Sequence, residues 1–150
     1  LRIDRHILGL TPGLFFGSAK EAVVAAIGRL ELVQVDCADP VALAGFWCQV
    51  LGVEIIEVLG DPPHYVNLEP PADARNGPAL AFQRVAEPKS SKNRLHFDIA
   101  VDDVDVATTQ VEAIGGSRAP TDDVSEHGYH WRVMADPDGN EFCLVFTIPA

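Results

Sequence analysis

Cysteine, basic residues, methionine and long apolar runs are all scarce in this sequence, and each shortage narrows what the chain can be. Its three cysteines, Cys37, Cys48 and Cys143, stand far apart with no C-x-x-C pair. That pattern is neither a disulfide scaffold nor a thiol-rich metal module, and the compartment it suggests is a reducing cytoplasm. Lys and Arg number 11 against 22 Asp and Glu, a formal net charge of -11. Proteins that wrap a polyanion draw their affinity from clustered Lys and Arg, so neither nucleic acid nor an anionic membrane surface is an expected partner. The most apolar N-terminal stretch, Ile7 to Gly17, is interrupted by Pro12. It falls well short of the roughly 20 apolar residues of a spanning helix. Behind Arg2 and Arg5 it imitates a signal-peptide core, but Lys20 and Glu21 sit awkwardly before any cleavage site, and secretion is not the expectation. A glycine-rich phosphate loop, a Ser-His-Asp order and zinc-finger spacing are all missing.

What the chain does have is a globular balance. Its 150 residues are 47% hydrophobic and 22% charged, enough to bury one core and too short for separate catalytic and regulatory domains. The first 29 residues read as an appended helical arm, in which Ser18-Ala19-Lys20-Glu21 forms a capping box before the apolar run Ala22 to Ile27. From Leu30 the pattern becomes regular. Leu30 to Val35 reads as a strand, Asp39-Pro40 as a helix N-cap followed by a first-turn proline, and Leu43, Phe46, Trp47, Val50 and Leu51 as one apolar helix face, stopped by Gly52. Strand-like runs follow at Val53 to Leu59, Tyr65 to Leu68 and Ala79 to Val85, with breakers between them. The polar segment Glu87 to Asn93 reads as a surface connector.

The same order then returns at an offset of about 63 residues. Leu95 to Val101 reads as a strand, Asp102-Asp103 caps a helix carrying Val104, Ala107, Val111 and Ile114 on one face, and Gly115-Gly116 ends it. Strands Tyr129 to Ala135 and Glu141 to Thr147 follow, joined by Asp136-Pro137-Asp138-Gly139. Each copy alone is too small to close a core, so the two must pack together.

This repeat, the Asp39-Pro40 to Leu51-Gly52 helix with Phe46-Trp47 inside it, the Leu95-His96-Phe97-Asp98 strand and the Asp136-Pro137-Asp138-Gly139-Asn140-Glu141-Phe142 stretch resemble the vicinal oxygen chelate superfamily. Within it the chain looks most like the glyoxalase-like group that borders bleomycin-resistance and dioxygenase proteins. The resemblance implies an α+β fold of two βαβββ modules, residues 30–86 and 94–147 within a domain spanning 30–148, forming an open curved sheet around a pocket. It also implies a homodimer, and a divalent metal held by the first and last strands of each module. Carried onto this chain, the ligand positions fall on Leu32 with Gln34 nearby, on Ala81 or Gln83 depending on register, on His96 and on Cys143. A leucine contributes no donor, and Gln with Cys is a weak pair for an oxygen-seeking ion. No metal or other cofactor is therefore expected, with His96 the best candidate ligand if a divalent ion does bind.

The remaining chemical residues carry two readings each. His96 is a polar anchor facing the pocket or a hydrogen-bonded core imidazole. His127 and His130 form an H-x-x-H spacing that matches paired ligands or exposed loop histidines. His130-Trp131-Arg132 is placed at the pocket mouth, Trp131 supplying apolar area and Arg132 a carboxylate contact. Cys143 reads as a small pocket-lining or core thiol before a nucleophile, because nothing beside it in sequence lowers a thiol pKa. Asp98, Asp102, Asp103 and Asp105 read mostly as caps and a solvated face. Ligand-binding residues are accordingly expected at His96, Gln83, Cys143, His130 and Trp131. The expected function is binding of a small molecule above a degenerate metal site. The alternatives are a metal-dependent lyase, isomerase or extradiol-type dioxygenase, and sequestration of a cationic antibiotic.

Overall fold

The computed structural model describes Ile27 and residues 30–70, 78–126 and 128–146. The capping box of the N-terminal arm, His127 and the strand end at Thr147 lie outside the described residues. No helix among the described residues is long and apolar enough to cross a membrane.

The fold is α+β, with two helices and two open sheets. The first copy runs β1 (Leu32–Cys37), α1 (Pro40–Leu51), β2 (Ile55–Leu59), β3 (Tyr65–Leu68) and β4 (Ala79–Arg84). Its sheet has the order β1-β4-β3-β2, with β1 and β4 parallel and the other pairs antiparallel. The second copy runs β5 (Asp98–Ala100), α2 (Val104–Ala113), β6 (Ser117–Arg118), β7 (Val124–Glu126), β8 (Tyr129–Ala135) and β9 (Glu141–Phe146). It repeats the parallel pairing of first and last strands in β5 and β9, and both β6 and β7 pair with β8.

Helix starts follow the caps. The Asp39 carboxylate accepts from the backbone N–H groups of Val41 at 3.1 Å and Ala42 at 3.2 Å, and Asp103 repeats this with Asp105 and Val106. Each cap is worth about 1 kcal/mol. Gly52 ends α1 in the left-handed region, φ 67. Several elements depart from the sequence pattern: the strand read from Leu95 to Val101 shrinks to Asp98–Ala100, so that His96 precedes β5 instead of lying on it. Strand β1 runs on past Val35 to Cys37 because its ladder to β4 continues through Asp36↔Gln83 and Cys37↔Arg84. The short strands β6 and β7 have no signature in the sequence, because runs of two and three residues are too short to show a period.

One core serves both copies. Leu43, Phe46 and Trp47 of α1 pack with Val66, Leu68 and Phe82 of the first sheet and with Val111, Met134, Phe142 and Leu144 of the second copy. Trp47 meets Phe97 and Phe142 edge-on, with ring centroids 5.3 Å and 5.1 Å apart. Since even positions of β4 and β9 face this core, the odd ones, among them Ala81, Gln83, Cys143 and Val145, stand on the opposite faces of their sheets.

Candidate functional site

A cavity of about 660 Å³ opens on that second face of the β5-β9-β8 sheet. Trp131, Val133, Ala100, Val145 and Tyr129 give it a mostly apolar wall, with polar groups gathered at His96, Asp98 and Cys143. The connector forms part of the rim through Lys92 and Asn93. It is held down by Glu141, which accepts from the Asn93 N–H at 3.1 Å and pairs with Lys89 Nζ at 3.2 Å. Partial burial works against ionisation of Glu141, but these contacts hold its carboxyl below the usual range.

The polar cluster follows from the ladder. Asp98 pairs with Cys143 across the parallel β5–β9 register, and His96 lies two residues ahead on the segment leading into β5, next to Phe97, whose carbonyl accepts from the Cys143 N–H at 2.8 Å. His96 Nε2 lies 3.5 Å from Asp98 Oδ1. The ligating atoms of His96, Asp98 and Cys143 all fall within 4.8 Å of one another. The two outer side chains are open to solvent, at 58% and 61%, whereas Cys143 is 7% exposed. Burial pushes the Cys143 thiol up to about 11, helped by the negative charge of Asp98 and a hydrogen bond to it. At neutral pH it is a neutral thiol, which fits a lining role and not a free nucleophile.

The expected site residues separate into two groups. His96, Cys143 and Trp131 line the cavity together. His130 does not, because alternation along β8 turns it away from Trp131; its Nδ1 is 2.8 Å from Ser125 Oγ and its ring lies against Phe146. Arg132 is likewise turned under the sheet, where Nε and Nη2 bind Asp123 at 2.8 Å and 2.7 Å and Nη1 binds Asp105 and Thr108. It ties β8 to α2 and offers no contact at the cavity mouth. Gln83 stands in the first sheet, paired with Asp36 and Tyr65, and is not among the cavity residues. The counterpart of Asp98↔Cys143 in the first copy is Gln34↔Ala81, so the register puts alanine, and not Gln83, at the ligand position. Asp98 is a cavity-lining residue that sequence reasoning assigns elsewhere, to the solvated face. Its two-residue spacing from His96 is the available signal, masked by the neighbouring cap aspartates.

The residues do not match a four-ligand site shared between modules. The first copy presents Leu32, Gln34 and Ala81 at the corresponding places. Only Asp98 supplies a carboxylate at the cluster, whereas magnesium-type ions want an oxygen-rich shell.

Two βαβ-type modules, each pairing first and last strands in parallel and sharing one core beneath an apolar cavity, define a paired-module α+β protein. The glyoxalase-like domain model matches residues 32–145, and the chain belongs to that family. The fold is similar to a glyoxalase/bleomycin resistance protein/dioxygenase family enzyme from Burkholderia phytofirmans, with TM-score 0.64, 20% identity, and coverage of 81% of this chain and 100% of that one. It is also similar to a glyoxalase/bleomycin resistance protein/dioxygenase from Nocardioides, with TM-score 0.62, 14% identity and coverage of 85% and 89%. A genomically encoded fosfomycin resistance protein from Listeria monocytogenes matches with TM-score 0.60, 16% identity and coverage of 82% and 96%. No curated protein matches the chain.

Proposed function

We propose that the protein binds a small, largely apolar molecule in the second-module cavity, with a polar group of the ligand held by His96 and Asp98. The cavity itself carries the reading. About 660 Å³ of concave space walled by Trp131, Val133 and Val145, with a few convergent polar side chains on one side, is the arrangement small-molecule sites use. Apolar area supplies affinity, and the exposed imidazole and carboxylate supply orientation. A second copy of the chain is the protein partner in this reading, covering the apolar edge strand β2.

An environment-sensitive naphthalene dye tests it. The expected result is one dye bound per wild-type chain, weakened in Trp131→Ala and abolished in Ala100→Trp, whose indole fills the cavity. Equal binding by all three sinks the proposal.

A metal-dependent lyase, isomerase or dioxygenase is the second reading, and the clustering of His96, Asp98 and Cys143 is what favours it. Of the solved relatives, the Listeria protein is a fosfomycin resistance protein. Antibiotic handling stays a third reading, supported by nothing more than that likeness and the acid excess.

A further inference from the structure

Between β4 and β5 the chain crosses from one module to the other, and residues 86–96 make the crossing with little to hold them. At one end the Val85 N–H donates to Cys37 O at 3.0 Å, and at the other Phe97 O accepts from the Cys143 N–H. Among the described residues, nothing between these anchors makes a backbone–backbone hydrogen bond. The span is tied to the body of the fold through one side chain, since Glu141 Oε2 accepts from the Asn93 N–H and also pairs with Lys89 Nζ. We propose that residues 86–96 are a hinged strap across the second-module cavity, latched by Glu141, and that release of the latch admits and frees the ligand. The gating role rests on the small-molecule reading; the latch itself does not.

The geometry around the span supports this. Asn93, His96 and Glu141 line the second-module cavity and also a neighbouring cavity of about 470 Å³ at the module junction, walled by Val33, Gln34 and Trp47. The strap is therefore a wall shared by two cavities, and lifting it opens the ligand cavity toward the junction. Its ends stay put when it lifts, because Phe97 is packed edge-on against Trp47 and Val85 is held by β1. A solvent-exposed segment without a backbone ladder belongs to the part of a fold that opens at low cost. Both ties end on the same carboxylate oxygen, so they are made and lost together, and the strap has a latched and a released position.

Trypsin reads the latch without any ligand. Lys92 and Arg94 lie in the strap, and the Lys92–Asn93 bond carries the N–H that Glu141 holds. Cleavage of the native full-length chain within 86–96 should be slow in wild type, about tenfold faster in Glu141→Ala, and about two- to fivefold faster in Lys89→Ala. Urea titration of each variant corrects these ratios for global stability, and Lys89→Ala, at an exposed position, keeps the test decisive if Glu141→Ala does not fold. Stopped-flow mixing with the naphthalene dye reads the gate. In Lys89→Ala, which alters no residue of the cavity lining, association and dissociation should quicken together with the dissociation constant unchanged, which a merely structural tie would not produce. Strap cleavage as fast in wild type as in the variants overturns the latch. Dye binding with unmoved rates overturns the gate alone, and a wild type that binds no dye overturns the gate together with the small-molecule reading.

Discussion

Trp47 Nε1 donates to Asp136 Oδ2 across 3.3 Å, joining the helix of the first module to the β8–β9 turn of the second. Asp136 is 3% exposed and also accepts from the backbone N–H groups of Asp138 and Asn140 and from Asn140 Nδ2. Asp138 in turn accepts from the Ala38 N–H at 2.9 Å, at the β1–α1 junction. The Asp-Pro-Asp-Gly-Asn segment is therefore a clamp between modules as well as a turn. Asp136→Ala leaves the buried indole N–H and the turn N–H groups without their acceptor. It should cost about 3 kcal/mol, and Trp47→Phe about 1 to 2 kcal/mol. Urea unfolding measures both, and a loss below about 0.5 kcal/mol in Asp136→Ala would contradict the clamp.

Gly116 and Gly45 respond to alanine in opposite directions. A Cβ on Gly116 would lie 2.5 Å from Val111 Cγ1 and 3.1 Å from both Ala135 O and Phe46 Cε2. Gly116→Ala should destabilise by about 1 to 3 kcal/mol through overpacking. Gly45, inside α1, has nothing within 4 Å of the place a Cβ would take. Gly45→Ala should stabilise by about 0.5 to 1 kcal/mol. Thermal unfolding of the two variants side by side checks the signs.

The Arg132–Asp123 pair gives stability a defined acid limb. The hydrogen bond from Arg132 holds the Asp123 carboxyl below its ordinary range, against partial burial, which works the other way. The unfolded aspartate titrates near about 3.9. Since the folded value lies lower, the contribution is complete above that pH and is lost as pH falls through the folded value. Asp123→Asn should cost about 2 kcal/mol at pH 7 and lose less stability than the wild type as pH drops below about 4. A series of urea titrations across that window reads the difference; parallel acid limbs would contradict the assignment.

Strand β2 closes one edge of the first sheet with all five residues exposed, four of them the apolar Ile55, Ile56, Val58 and Leu59. Long apolar edges invite pairing with another chain. Sedimentation should find a dimer for the wild type, and Ile56→Lys with Val58→Lys should shift it to monomer. A wild-type monomer at every concentration would remove the homodimer.

The repeat made much of this architecture readable. Asp39 and Asp103 announce the helix starts, the spacing of Leu43, Phe46 and Trp47 gives the buried face of α1, and the glycine stops and the Asp-Pro-Asp-Gly turn bound the strands. These signals are local, so one chain segment suffices to see them. Alternation along β8 and β9 puts Trp131 and Cys143 on the cavity side of their sheet, whereas His96 was expected from the family resemblance and lies ahead of β5.

Register and pairing are another matter. Which residue of β4 stands opposite Gln34, and so whether Ala81 or Gln83 matches Cys143, depends on how two strands slide past each other, and strands far apart in sequence carry no local mark of that offset. The same holds for Arg132, whose charge suggests a ligand contact until Asp105 and Asp123 are seen to enclose it. The sequence by itself determined two capped helices, the repeated strands and one shared core, because periodicity and capping are properties of neighbouring residues. Only the tertiary structure brought Asp98 beside His96 and Cys143 and made the turn at Asp136 a clamp on Trp47, because both depend on long-range packing that places distant side chains within bonding distance.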